Sequence, residues 1–254
     1  MILAIQENLV EGSSLTEKLD LALAAGFDAL ELRDATRAGQ IVKGRAPTVC
    51  PELGGWLGDF DATARRRAIE ELREQLDAIV ELGGHGVITP AAWGMYTRRL
   101  PPFVQPARTP QQDREVLLEG LAELGAYAEG AGGVLLFEPL NRYEDHMVNT
   151  VAQAADLIAE AGSPGVRVLA DTYHMNIEED GLCAALRSVA DVLGAVHLSD
   201  SNRHQPGTGH VDFEAVIATL REIGFDGVVS VECRLRGEPG AAVRACGEYL
   251  RALL

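Results

Sequence analysis

A (β/α)8 barrel of the TIM type, in one domain over residues 1–254, is the fold this sequence predicts. Two observations predict it. Eight short apolar runs alternate with stretches of helical periodicity, in one unbroken order. A unit of helix end, Gly, Phe, Asp, small residue and strand occurs at Gly26-Phe27-Asp28-Ala29 and again at Gly224-Phe225-Asp226-Gly227. One shared unit near each end favours a repeating αβ architecture over two unlike domains. The length is typical of this barrel and ample to bury a core without staples.

The elements follow in order. Residues 2–5 form the first strand. Ser14 caps the first helix, with Glu17 at capping-box spacing, and Leu15, Leu19, Ala22 and Leu23 repeat on one face. Gly26 suits a left-handed helix end, and Phe27 a plug for the barrel bottom. Residues 29–32 and 46–50 are the second and third strands, and the Gly- and Pro-rich stretch around the third carries Trp56. Residues 62–82 are a helix with Ile69, Leu72, Leu76, Ile79 and Val80 inward and charge outward. Gly83-Gly84 ends it, and strand 86–89 stops at Pro90. The 90–110 stretch holds five prolines, Trp93 and Tyr96, too decorated for a connector, and reads as a loop covering a site. Residues 111–129 are a second long helix, with Val116, Leu117, Leu121 and Leu124 as its stripe. Strand 134–138 is a continuous apolar run closed by Glu138 and Pro139, as suits a strand buried on both faces. Asn149-Thr150 caps helix 151–161. Strand 166–170 ends at Asp171, strand 193–196 at His197 and strand 228–231 at Glu232, with helices at 182–189, 212–223 and from about 239 onward.

Composition bounds the function. Hydrophobic residues make up 47% and charged residues 24%, an ordinary globular balance. The net charge of −16, from 22 basic and 38 acidic residues, is poor for gripping a phosphate backbone, so no nucleic-acid partner is expected. It suits small ligands and metal cations. Cys50, Cys183, Cys233 and Cys246 form no C-x-x-C pair and read as apolar filler in a reducing compartment. The amino terminus has no signal-peptide pattern and no run is long enough to span a membrane, so a cytoplasmic, soluble protein is expected.

Four successive late strands thus end in Glu138, Asp171, His197 and Glu232. In a barrel these carboxyl ends share one rim, where sites form. A solvated strand end explains any one of them, but the explanation weakens as the pattern recurs. Three crowded carboxylates repel unless a cation neutralises them. This oxygen-rich set with one imidazole suits Mn²⁺, Mg²⁺ or Co²⁺, and zinc with an open position stays in play. His174, three residues after Asp171, is read as a donor to a substrate oxygen, with a further ligand or a loop histidine as alternatives. Arg203 holds either an oxyanion or a surface ion pair, and Glu144 can reach the same cup. His85 starts a strand and reads as structural; His146 and His210 stay undecided; Glu31 ends an apolar run without an evident partner.

These residues resemble the xylose isomerase-like superfamily, in its sugar isomerase and epimerase branch. The matching text is Glu138-Pro-Leu-Asn-Arg-Tyr-Glu144, Asp171-Thr-Tyr-His174-Met-Asn, the run from His197 through Asp200 and Arg203 to Gly209-His210-Val-Asp212, and the strand end at Glu232. The resemblance covers the chain from about residue 134 onward, and separations of 33, 26 and 35 residues between the four strand ends are similar to those of ketose 3-epimerases. It implies one divalent metal, Mn²⁺ first, on Glu138, Asp171, His197 and Glu232. It implies that Glu138 and Glu232 also exchange protons with substrate, and that Glu144, His174 and Arg203 contact it. A metal-bound carboxylate is a weaker base, so Glu138 is expected to bind through one oxygen and keep the other for substrate. The implied substrate is a small unphosphorylated keto sugar or hydroxy-keto acid. A ketose 3-epimerase comes first, with hydroxypyruvate isomerase and inosose dehydratase on the same scaffold. An endonuclease IV-like nuclease also resembles the chain, at His204 as well, but that class places an Asp where Asn202 stands, and the charge opposes DNA. A non-catalytic sugar-binding barrel is the remaining alternative. A homo-oligomer stays open.

Overall fold

The computed structural model describes residues 1–39, 42–95 and 107–254. Its strands are β1 (Ile2–Gln6), β2 (Ala29–Glu31), β3 (Thr48–Val49), β4 (Gly86–Pro90), β5 (Val134–Glu138), β6 (Val166–Asp171), β7 (Leu193–Leu198) and β8 (Val228–Val231). All pair in parallel, in the order β2-β1-β8-β7-β6-β5-β4-β3. The seam between β2 and β3 is short. Leu32 N donates to the Thr48 carbonyl and Cys50 N to the Leu32 carbonyl, and these bonds bring the two edges together as a barrel. The fold is the expected TIM barrel.

The helices are α1 (Leu15–Ala24), α2 (Ala62–Glu81), α3 (Pro110–Ala131), α4 (Val151–Ala161), α5 (Thr172–Glu178), α6 (Leu182–Ser188), α7 (Phe213–Glu222) and α8 (Pro239–Leu253). Between β2 and β3 lies a 3-10 turn at Ala35–Arg37. Helix α2 buries Ile69, Leu72, Leu76 and Ile79 against the sheet. Full burial of one such side chain is worth about 2 kcal/mol. Thr109 and Thr150 form complete capping boxes on α3 and α4. At α1, Ser14 accepts from Glu17 N, but the Glu17 carboxylate turns to Ser13 N and Oγ, so the expected box is shifted by one residue. Gly26 and Gly224 hold φ of 95° and 70°, the left-handed helix ends that the repeated unit requires, and Phe27 behind the first is buried.

Strand parity positions the site. Successive side chains alternate between the barrel interior and the helix layer. Inside lie one layer of Ile88, Leu136, Leu169 and Ala195 and a smaller group of Ala4, Ala29 and Val228. Two residues on, at the carboxyl ends of the same strands, stand Glu138, Asp171, His197, Gln6, Glu31 and Ser230, all buried. The register sets Asp171 beside His197, His197 beside Ser230, and Gln6 beside Glu31. Apolar layers thus floor a polar one.

Candidate active site

Glu138, Asp171, His197 and Glu232 converge on one point, each offering an atom within 4.8 Å of those of the others. His197 is at the centre and fully buried. Its Nδ1 lies 3.5 Å from Glu138 Oε1, 4.0 Å from Asp171 Oδ2 and 3.1 Å from Glu232 Oε2. Neither this Nδ1 nor Glu138 Oε1 completes a hydrogen bond, although both are buried. Buried polar atoms are almost always paired, so two orphans aimed at one point indicate a missing partner. With three carboxylates contributing, the donor set fits a hard divalent cation.

The electrostatics are those of a crowded cup. Burial pushes the Glu138 carboxyl up and the Glu232 and Asp171 charges add to this, outweighing His197. Burial would also raise Glu232, but His197 and Arg203 hold it well below the ordinary range. Burial would lower His197, yet the Glu31 and Glu232 charges push it well above its ordinary value. A neighbouring cation favours the charged form of each acid.

Arg203 completes the charge balance. Its two terminal nitrogens donate to Asp171 Oδ2 at 2.7 Å and Glu232 Oε2 at 2.8 Å, with the guanidinium 4.9 Å over the Tyr173 ring. It is therefore no surface ion pair: it bridges two of the four clustered residues. Its φ of 59° is unusual for a non-glycine residue. Asp200 organises the loop that holds it there. This fully buried carboxylate accepts from the backbone N–H of Ser201, Gly207, Thr208, Gly209 and Val211, at 2.7–3.1 Å. A Cβ at Gly209 would stand 2.3 Å from Asp200 Oδ1, so only glycine fits there.

His174 lies on α5, where the sequence suggests a loop. Asp171 caps this helix, Oδ1 accepting from Tyr173 N and His174 N while Oδ2 faces Arg203. Asn141 N donates to His174 Nδ1 at 3.1 Å, which makes Nδ1 the acceptor and leaves the proton on Nε2. Asn141 Nδ2 donates to Glu144 Oε1 at 2.8 Å, and Trp93 Nε1 to Glu144 Oε2 at 3.0 Å. Trp93 is half exposed and meets Trp56 edge-on, 6.1 Å between centroids. Tyr96 and most of the predicted covering loop lie outside the described residues.

Sequence reading leaves Glu31 without a partner and passes over Gln6 and Ser230 in the polar layer. Glu31, buried, lies 3.0 Å from His197 Nε2, and Gln6 Nε2 donates to both Glu31 and Glu232. Parity was the available signal: Ala4-x-Gln6 and Ala29-x-Glu31 repeat the spacing of Leu136-x-Glu138 and Ala195-x-His197. The two undecided histidines, and His204 of the nuclease comparison, fall elsewhere. His146 packs by Asp113 and Phe60, His210 meets Ser201 Oγ, and His204 Nδ1 faces the Arg234 carbonyl. His85 sits before β4, at the opposite end of the barrel, as expected.

A TIM barrel with this carboxylate and imidazole cluster at its C-terminal rim defines an enzyme of the sugar isomerase and epimerase class. The chain belongs to the xylose isomerase-like TIM barrel family, whose sequence profile matches residues 19–253. It is 39% identical over 248 residues to a 3-dehydro-D-guloside 4-epimerase of Escherichia coli (strain K12), covering 94% of each chain. It is 32% identical over 238 residues to an L-ribulose 3-epimerase of Mesorhizobium japonicum, covering 87% of this chain and 77% of that one. The apo crystal structure of a 3-keto-D-glucoside 4-epimerase from E. coli superposes with a TM-score of 0.94 at 38% identity, over 99% of each chain. Among the described residues no helix is long and apolar enough to cross a membrane.

Proposed function

We propose that the chain, as one catalytic barrel over residues 1–254, epimerises a keto sugar at the carbon next to its carbonyl. Glu138, Asp171, His197 and Glu232 hold one divalent cation, Mn²⁺ before Mg²⁺, Co²⁺ or Zn²⁺. The observation that carries this reading is the convergence of those four side chains around two orphaned buried atoms. When bound, the cation supplies a Lewis acid that makes the carbon-bound proton beside the carbonyl more acidic. Glu138 and Glu232 arrive from different strands. One removes the proton and the other returns a proton to the opposite face, which inverts the centre. His174, with its proton on Nε2, donates to a substrate oxygen. Arg203 steadies developing negative charge, and Glu144, fixed by Asn141 and Trp93, accepts from a substrate hydroxyl.

The substrate class is a keto glycoside with its carbonyl at carbon 3 and reaction at carbon 4. Higher identity over nearly the whole of both chains, for the 4-epimerase compared with the ribulose epimerase, supports it. The chemistry is that of a ketose 3-epimerase moved by one carbon. Four free, scattered cysteines support a reducing, cytoplasmic setting.

The test incubates the Mn²⁺-loaded enzyme with 3-keto-glucosides and, separately, with free ketoses in deuterated water. Deuterium should enter at the carbon beside the carbonyl of the keto glycoside, with the epimer as product. Glu138→Gln and Glu232→Gln should each slow exchange by about 10²–10⁴-fold. Folded, metal-loaded enzyme that exchanges hydrogen in no keto sugar would sink the proposal.

A further inference from the structure

We propose that Glu31 is the positioning residue for His197: its carboxylate takes the Nε2–H of the ring and so aims Nδ1 at the cation site, while Gln6 ties the same carboxylate to Glu232. The inference rests on the four-residue cluster being a cation site, and it assigns work to two residues outside that cluster. Glu31 is 1% exposed and His197 is fully buried. Both Glu31 oxygens face one ring nitrogen, with Oε1 3.0 Å and Oε2 3.2 Å from Nε2. Thr48 Oγ1 donates to Oε2 at 2.8 Å, and Gln6 Nε2 donates to Oε1 at 3.0 Å. The carboxylate therefore accepts from side chains of three other strands: β1, β3 and β7.

Gln6 has one workable orientation. Its Nε2 also lies 3.0 Å from Glu232 Oε1. Ionised carboxylates only accept, so the amide nitrogen must face both acids. One buried amide thus links the acid behind the imidazole to the acid in front of it. The other Glu232 oxygen is held by Arg203.

The ring geometry does the rest. A neutral imidazole carries one N–H, and the hydrogen bond made by one nitrogen decides which nitrogen is left to bind a metal. Glu31 lies on the Nε2 side. The lone pair then falls on Nδ1, the orphaned atom that faces Glu138, Asp171 and Glu232. A carboxylate behind a ligating imidazole also increases its basicity, and losing such a partner costs about 10–100-fold in metal affinity.

The test reads metal binding without substrate. Mn²⁺ affinity is measured by electron paramagnetic resonance for the wild-type chain, Glu31→Gln and Glu31→Ala, alongside thermal unfolding of each metal-free protein. Glu31→Ala should bind Mn²⁺ about 10–100-fold more weakly, and Glu31→Gln, whose amide oxygen still accepts from Nε2, should recover part of the loss. The nitrogen-15 spectrum of the Zn²⁺-loaded wild type should show His197 protonated at Nε2. Equal Mn²⁺ affinity in folded wild type and Glu31→Ala overturns the assignment. If Glu31→Ala does not fold, a His197 proton on Nδ1 in the Zn²⁺-loaded wild type overturns it. Wild type that binds Mn²⁺ as expected yet turns over no keto sugar sinks the reaction and leaves this assignment standing.

Discussion

Asp200 shows how one buried side chain places another. Its carboxylate gathers five backbone N–H groups, and the loop so formed sets Arg203 over Asp171 and Glu232. Burial alone would raise its pKa. The N–H groups of Gly209, Val211, Ser201 and Thr208 outweigh burial and hold it below the ordinary value of 3.8. A depressed carboxylate contributes stability that is present above its unfolded pKa and is lost as pH falls through its folded pKa. Asp200→Asn should therefore cost about 2–3 kcal/mol at pH 7, the scale of hydrogen bonds to a charged group. The gap to wild type should shrink once the pH drops below about 4. Urea titrations at pH 7, 4 and 3 measure it, and a gap unchanged at pH 3 would contradict the assignment. Turnover should fall as well, because Arg203 loses its support.

At the scale of elements, the β5–α4 connection and α5 act as a clamp. Arg142 makes a two-pronged ion pair with Glu178 at 2.8 Å on each prong, holding the connection against α5. Inside the clamp, Asn141 bridges Glu144 and His174. Asn141→Ala removes one of the two side-chain donors that fix Glu144, leaving Trp93, and keeps the backbone donor to His174 in place. It should raise KM about tenfold, the worth of one to two hydrogen bonds, and change kcat less. Steady-state kinetics on a keto glycoside separate the two, and a fall in kcat at constant KM would place Asn141 in the chemical step instead. This clamp was only partly legible in the sequence. Glu138 and Asp171 announced themselves because each closes an apolar run, a local signal. The helix α5 did not, because Thr-Tyr-His-Met-Asn-Ile-Glu has modest helix propensity. It forms because Asp171 caps it and Met175 is buried beneath it. Glu31 also closes an apolar run, but its partner His197 is 166 residues away, and only barrel closure brings the two together. The third strand reads as residues 46–50 but spans only Thr48–Val49, because it pairs with β4 over two residues and meets the end of β2 at a single bridge between Leu32 and Val49.

For the whole molecule, the question is what keeps so acidic a cup folded before a cation arrives. The apolar layers floor the site and do not depend on it. The charge balance of the rim does depend on its cations, since Arg203 and His197 are what stand against Glu138, Asp171 and Glu232. A chelator should therefore leave the chain folded but less stable. At a Mn²⁺ concentration of 100 times Kd, binding to the native state adds about 2.7 kcal/mol. For a chain of this size that raises Tm by roughly 5–10 °C. Arg203→Ala sharpens the test. Without the guanidinium the metal-free rim has one fewer cation against the same carboxylates, while the loaded rim keeps its metal charge. The metal-free variant should lose more stability than the loaded one, so the Mn²⁺-induced rise in Tm should be larger in Arg203→Ala than in wild type. Calorimetric scans with saturating Mn²⁺ and with chelator measure both rises. A smaller rise in the variant would mean that Arg203 helps to bind the metal, and that the carboxylates do not need it to coexist in the empty cup.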